Sequence, residues 1–237
     1  MTFSQELREA VAPIWEASFD HPFVKGIGDG TLSLDKFRFY VQQDAYYLTH
    51  FSRVQALGAA KAMDLRTTAR MAAHAQGTNE AEMSLHEKFS KQLGITEDEL
   101  LAFQPAPTAY AYASHMYRVA QFGGLAEIIA VILPCYWLYY EIGERLQACT
   151  PGEPIYQEWI ATYGGDWFKE LVDEQIQRLD ELAETVTEAE RDRMKNHFIL
   201  SSLYELQFWE MAYTLEKWPF QEKLNQQKLS EVGDLRG

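Results

Sequence analysis

Cysteine is scarce in this sequence, and its spacing excludes an internal disulfide. The two cysteines, Cys135 and Cys149, are fourteen residues apart on one predicted helix. A helical rise of about 1.5 Å per residue places them roughly 21 Å apart, which is too far for a disulfide bond. Neither cysteine belongs to a CxxC pattern, so the sequence indicates neither structural zinc nor dithiol redox chemistry.

Positive charge is also in short supply. The sequence has 21 basic residues against 35 acidic ones, which gives a net charge of −14 and a pI near 4.8. Such a surface repels phosphate backbones and anionic lipids. We therefore expect neither nucleic acid nor a membrane as a partner.

Long apolar segments are missing as well. The N-terminal stretch MTFSQELREAVAPIW lacks the apolar core of a secretory signal. The longest run without a charge, Ile128 to Tyr140, contains Pro134 and is too short to cross a bilayer. We therefore expect a cytoplasmic protein.

Several motifs of known catalytic and metal sites do not occur. The sequence has no Gly-rich phosphate loop after a strand, no GxSxG elbow and no HExxH motif. No histidine has an acidic residue three positions before it, which counts against the Glu-x-x-His pairs of di-iron bundles. One axial histidine would suffice for haem, but no histidine stands out. We expect no metal site and no organic cofactor.

Helical periodicity, in contrast, is present almost everywhere. Apolar residues recur at spacings of three and four, and no segment alternates as a strand would, so we predict an all-α chain. The predicted helices run from Ser4 to Phe19, Leu34 to Ala62, Asp64 to Leu93, Thr108 to Gln121, Leu125 to Cys149, through Tyr156 and Trp159, from Asp166 to Glu184, and from Glu188 to Lys217.

Local signals mark the ends of these helices. Predicted N-caps are Ser33, Asp64 and Asp166, and capping boxes are predicted at Thr96 with Glu99 and at Thr187 with Glu190. KGIGDGT is predicted to be a loop, and the polar tail after Trp218-Pro219 a peripheral helix. Because the composition shows no break, we predict one multihelical bundle over residues 1–237.

The segment ILPCYWLYYEIG places Pro134 directly before Cys135 in the most apolar part of the chain. Pro134 has no N–H for the carbonyl of Ala130, so the helix should kink there. The kink would aim Cys135 into a cavity, with Tyr139 on the same face one turn later. The alternative is a buried cysteine that packs as a small hydrophobic residue.

Two acidic residues lie in apolar, aromatic surroundings. Asp44 shares a helix face with Tyr40 and Tyr47 and could orient a polar, nitrogen-rich ligand. Glu205 lies in HFILSSLYELQFWEMAY, where burial would raise its pKa and suit it to proton transfer. A surface or core-packing role remains open for both residues.

The chain resembles the thiaminase II family, also called TenA, in its cysteine-containing branch. The match is carried by LPCYWLYYEIGE from Leu133 to Glu144, and by QQDAYYL, YGGDWF and SSLYELQFWEMAY. The resemblance implies a multihelical bundle similar to haem oxygenase, usually without haem, and a homotetramer. It also implies hydrolysis at the pyrimidine methylene of aminomethyl aminopyrimidine, or of thiamin, to give the hydroxymethyl pyrimidine in thiamin salvage.

The same resemblance implies roles for individual residues. Cys135 would be the nucleophile and Glu205 the acid and base that protonates the leaving group. Asp44 would hold the aminopyrimidine, and Tyr47 would support the thiol. The residues expected to line or contact the ligand are Tyr112, Tyr139, Tyr163 and Phe208. Two alternatives stay open: a non-catalytic binding or regulatory protein related to thiamin, and a haem-oxygenase-like oxidase.

Overall fold

The structure, a computed structural model, describes residues 1–220 without the side chains of residues 82–86. In this range it contains eleven helices and no strand, which confirms the all-α prediction. The helices are α1 (Phe3–Ala10), α2 (Ala12–Phe19), α3 (Pro22–Asp29), α4 (Leu34–Lys61), α5 (Leu65–Gln92), α6 (Glu97–Leu101), α7 (Pro107–Phe122), α8 (Leu125–Leu146), α9 (Pro154–Tyr163), α10 (Asp166–Ala183) and α11 (Glu188–Thr214).

Side-chain caps begin four of these helices where the sequence predicts them. Ser33 accepts a bond from the Lys36 amide at the start of α4, and Asp64 accepts one from the Thr67 amide at the start of α5. The two predicted capping boxes, at the starts of α6 and α11, are both present. These contacts satisfy amide groups that have no partner within the helix.

Two predictions near the N-terminus are wrong. The helix predicted from Ser4 to Phe19 is broken at Val11, because Pro13 cannot donate to the preceding turn. KGIGDGT is mostly helical rather than a loop. α3 starts at Pro22, and the His21 side chain accepts a hydrogen bond from the Phe23 amide. α3 ends at Asp29, and Gly30 follows as its C-cap with a φ of 78°.

Smaller differences concern other helix ends. Gly165, rather than Asp166, is the N-cap of α10. α8 ends at Leu146, short of Cys149, and α11 ends at Thr214, where Leu215 adopts a left-handed φ of 55°. The helix predicted after Pro219 falls mainly outside the described residues, which end at residue 220.

α8 is the central helix of the bundle and packs against α4, α7, α9, α10 and α11. It is long and apolar enough to cross a membrane by length and composition, but 72% of its most apolar window is buried inside the fold. Burial among the other helices therefore accounts for its apolar character. α8 runs as one helix through Pro134, and the kink expected there stays a prediction.

A close approach of two glycines fixes α8 against the turn between α9 and α10. A Cβ atom on Gly164 would lie 2.8 Å from the carbonyl oxygen of Gly143, and one on Gly143 would overlap the backbone of Gly164. This contact brings Tyr163 next to Tyr139, with ring centroids 4.9 Å apart. The position of Tyr163, which lines the cavity described below, therefore depends on having glycine at both 143 and 164.

We predict that Gly143→Ala lowers the free energy of unfolding by about 1–3 kcal/mol, because the new methyl group overlaps backbone that cannot move freely. The matched control is Gly77→Ala in α5, where an added Cβ meets nothing within 4 Å. That change should be neutral or stabilising by about 0.5–1 kcal/mol, since alanine favours a helix over glycine. Chemical denaturation measures both, and equal stability of the two variants would contradict the packing argument.

Candidate active site

A cavity of about 290 Å³ lies between α4, α5, α8, α9 and α10. Four of the predicted site residues line it: Asp44, Cys135, Tyr139 and Tyr163. The other four, Tyr47, Tyr112, Glu205 and Phe208, are buried and do not line it. The predicted residues therefore form a cavity wall and a layer behind it.

Cys135 lies on the cavity wall and is half-buried. Tyr139 follows it by one helical turn and lines the same cavity, so the predicted shared face is confirmed. Tyr47 is buried beside the cysteine: burial, and then the nearby Cys135 sulfur, raises the pKa of Tyr47 well above its usual value. A protonated phenol is thereby kept next to the thiol.

Glu205 is 1% exposed and lies behind the cavity wall. Burial raises its pKa from 4.5 to about 8, and the negative charge of Asp44 acts in the same direction. The Tyr112 hydroxyl opposes this shift, since it donates a 2.7 Å hydrogen bond to Glu205 Oε1. The raised pKa expected from the sequence is confirmed, and Glu205 holds its proton over most of the neutral range.

Asp44 is buried on α4 but faces the cavity. Its charge contributes to the raised pKa of Tyr139, after burial and the influence of Tyr40. Tyr40 connects the same region to α9, because its hydroxyl donates to that of Tyr139 at 3.3 Å and accepts from Trp159 Nε1 at 3.3 Å. Asp44 thus lies beside an ordered set of phenol groups rather than in bulk water.

Aromatic rings hold the buried layer together. The Tyr47 ring lies 4.7 Å from that of Tyr112 and 5.8 Å from that of Phe208, centroid to centroid. The Tyr204 ring stacks on that of Tyr112, with centroids 5.1 Å apart. These contacts join α4, α7 and α11 and keep water away from Glu205.

The sequence predictions did not include the cavity wall that α5 and α10 form. α5 contributes Arg70, His74, Thr78 and a row of small residues to the lining, and α10 contributes Trp167, Phe168 and Leu171. The small residues Ala73, Gly77 and Ala81 follow one another at four-residue spacing. That spacing places a groove on one helix face and is the signal that could have revealed this wall.

Histidine His74 lines the cavity but is engaged with α10. Its Nε2 atom lies 2.9 Å from the Gln175 amide nitrogen and 3.3 Å from Glu174 Oε2. Among the residues the structure describes, no three acidic, cysteine or histidine side chains converge as metal ligands. The side chain of His86 lies outside the described set.

The arrangement combines three chemical functions in one place. Cys135 carries a thiol, Glu205 carries a carboxyl group that is protonated near neutral pH, and Asp44 carries oxygen atoms that can accept hydrogen bonds from N–H groups. Nucleophilic addition followed by proton transfer to a leaving group needs this combination.

Known proteins with the same sequence pattern cover nearly all of the chain. The TENA/THI-4/PQQC family profile matches residues 8–215. An aminopyrimidine aminohydrolase from Bacillus subtilis (strain 168) is 63% identical over 218 residues, which is 92% of this chain and 92% of that protein.

Solved structures match the fold as well. A TenA homologue from P. horikoshii OT3 superimposes with a TM-score of 0.84 at 31% identity, covering 90% of this chain and 99% of that one. A Shewanella denitrificans OS217 domain of unknown function with a heme oxygenase-like fold superimposes with a TM-score of 0.70 at 16% identity, covering 89% of this chain and 91% of that one. The second likeness confirms the predicted fold class. The chain belongs to the TENA/THI-4/PQQC family.

Proposed function

We propose that the protein is an aminopyrimidine aminohydrolase of thiamin salvage, in the cysteine-containing branch of its family. Its substrate is 4-amino-5-aminomethyl-2-methylpyrimidine, and it also hydrolyses thiamin; both give the hydroxymethyl pyrimidine. The observation that carries this proposal is the protonated Glu205 beside a cavity that Cys135 and Asp44 both line. The activity of the Bacillus subtilis relative supports the same reaction.

In the first half of the proposed reaction, Asp44 accepts hydrogen bonds from the aminopyrimidine and fixes the ring. The Cys135 thiolate adds to a ring carbon, and the ring then has electrons to expel the substituent on the methylene. Glu205 gives its proton to the departing nitrogen as the C–N bond breaks. Ammonia leaves, and the methylene becomes an electrophile conjugated with the ring.

In the second half, water adds to the methylene and its proton passes to the Glu205 carboxylate. The electrons return through the ring and expel the Cys135 thiolate. The balance is one water consumed and one ammonia released, with enzyme groups restored. The same carboxyl group thus acts first as acid and then as base, which its pKa of about 8 allows near neutral pH.

The tyrosines have supporting roles in this proposal. Tyr47 stays protonated, because burial and the nearby Cys135 sulfur raise its pKa, and it donates a hydrogen bond to the thiolate. Tyr112 orients Glu205 through its 2.7 Å bond. Tyr139, Tyr163 and Phe208 complete the aromatic surroundings of the ring.

Assembly and location are further parts of the proposal. We propose one domain over residues 1–237, a homotetramer, and a place in the cytoplasm, where a catalytic thiol stays reduced. The comparisons do not favour the binding-protein and oxidase alternatives.

We predict that Cys135→Ala keeps the fold and loses hydrolysis by on the order of 10³-fold or more, because the thiol that adds to the ring is removed. Cys149→Ala is the matched control, since Cys149 is also half-buried but does not line the cavity. Ammonia release measures activity, and circular dichroism checks the fold. Near wild-type turnover by Cys135→Ala would sink the covalent mechanism.

We predict that kcat falls as pH rises through about 8, because Glu205 must carry the proton for the leaving group. The Tyr112 hydrogen bond stabilises the carboxylate form, so Tyr112→Phe should raise the pKa of Glu205. The fall in kcat, the basic limb of the pH profile, should then move to higher pH. Tyr204→Phe is the control: it removes the hydroxyl of a ring that stacks on Tyr112, and it should leave the basic limb in place. A limb that does not move in Tyr112→Phe would show that another group titrates.

A further inference from the structure

Three polar side chains form a connected group on the cavity side of α4, α5 and α8, and we call Gln55, Thr78 and Tyr136 the polar triad. The Thr78 hydroxyl donates to Gln55 Oε1 at 3.0 Å, and Gln55 Nε2 donates to the Tyr136 hydroxyl oxygen. Thr78 and Tyr136 line the cavity, while Gln55 is fully buried behind them. The mechanism proposed above uses none of the three.

The triad marks the end of the cavity away from Asp44. Asp44, Leu48 and Phe51 line the cavity from one face of α4, and Gln55 is the next residue of that face. Asp44 and Gln55 are eleven residues apart, or about 16 Å along a helix axis at about 1.5 Å per residue. A ring held at Asp44 would therefore direct its substituent along an apolar wall toward the triad.

Tyr136 is held in place on several sides. Its ring packs against Phe51 at 5.3 Å, His74 at 6.2 Å and Phe168 at 6.2 Å between centroids. Burial raises its pKa well above that of a free tyrosine, so the hydroxyl keeps its hydrogen. Gln55 donates to the hydroxyl oxygen, and the Thr78 hydroxyl, which donates its own hydrogen to Gln55, also lies against the phenol. Neither the Gln55–Tyr136 bond nor the Thr78–Gln55 bond uses the phenol hydrogen.

We propose that Tyr136 determines specificity for the leaving group, by donating a hydrogen bond to an uncharged oxygen that the leaving group carries. The hydroxyethyl group on the thiazole half of thiamin carries such an oxygen. Gln55 and Thr78 are positioning residues that orient the Tyr136 hydroxyl. This inference rests on the proposed function and concerns the half of the substrate that the catalytic residues do not hold.

The length of the leaving group determines whether it reaches the Tyr136 hydroxyl. The aminomethyl group adds two heavy atoms to the pyrimidine and does not extend along the cavity wall. Thiamin adds a whole second ring with its side chain, which follows Leu48 and Phe51 toward the triad. One cavity can then accept a small amine and a long leaving group, with a polar contact reserved for the long one.

The test compares two leaving groups that differ by one oxygen: thiamin, and the analogue in which an ethyl group replaces the hydroxyethyl group. Their kcat/KM ratio is measured for the wild type, for Tyr136→Phe and for Tyr140→Phe. Tyr140 lies on the same helix outside the cavity, where its hydroxyl donates to Glu144, and it is the matched control. Thermal unfolding of each variant checks that the fold is retained.

We expect the wild type and Tyr140→Phe to prefer thiamin over its ethyl analogue by about three- to tenfold, the size of one neutral hydrogen bond. In Tyr136→Phe the ratio should fall to about one. A ratio near one in the wild type overturns the inference without any variant, as does a preference that survives in Tyr136→Phe or an absence of thiamin hydrolysis. Hydrolysis of 4-amino-5-aminomethyl-2-methylpyrimidine by the wild type is measured separately as a test of the proposed function. Failure to hydrolyse this compound would reject the proposed function itself.

Discussion

The burial of one carboxyl group among aromatic rings is the constraint that the rest of the site satisfies. An ionised carboxylate without water is costly, and the hydrogen bond that the Tyr112 hydroxyl donates to Glu205 offsets part of that cost. The proton therefore stays on Glu205 until about pH 8. Rings from α4, α7 and α11 surround the carboxyl group, so its acidity is a property of how these helices pack.

Two carboxyl groups with different surroundings can divide the work of one reaction. Asp44 faces the cavity and raises the pKa of Glu205 by its negative charge, whereas Glu205 is enclosed behind the wall. Cys135, on the central helix α8, lines the same cavity as Asp44, so the proposed mechanism can bring a ring held at Asp44 to the thiol.

Local chemistry made much of the fold predictable. The helix N-caps at Ser33, Asp64, Thr96 and Thr187 depend on short sequence motifs, and the structure has all four. The cavity was harder to predict, because α5 lines it only where tertiary packing brings this helix against α4, α8 and α10. Tyr136 was missed for the same reason, since its importance depends on Gln55 and Thr78, which are distant in sequence. The roles proposed for the site residues are implied by the family resemblance, and the structure shows where these residues lie.

The most direct test of this account is the titration of the Glu205 carboxyl carbon by carbon-13 NMR, with the signal assigned by its loss in Glu205→Gln. The account predicts a midpoint near pH 8, because burial and Asp44 outweigh the Tyr112 hydrogen bond. A midpoint near 4.5, the ordinary value for a glutamate, would mean that Glu205 is ionised at neutral pH and cannot supply the leaving-group proton.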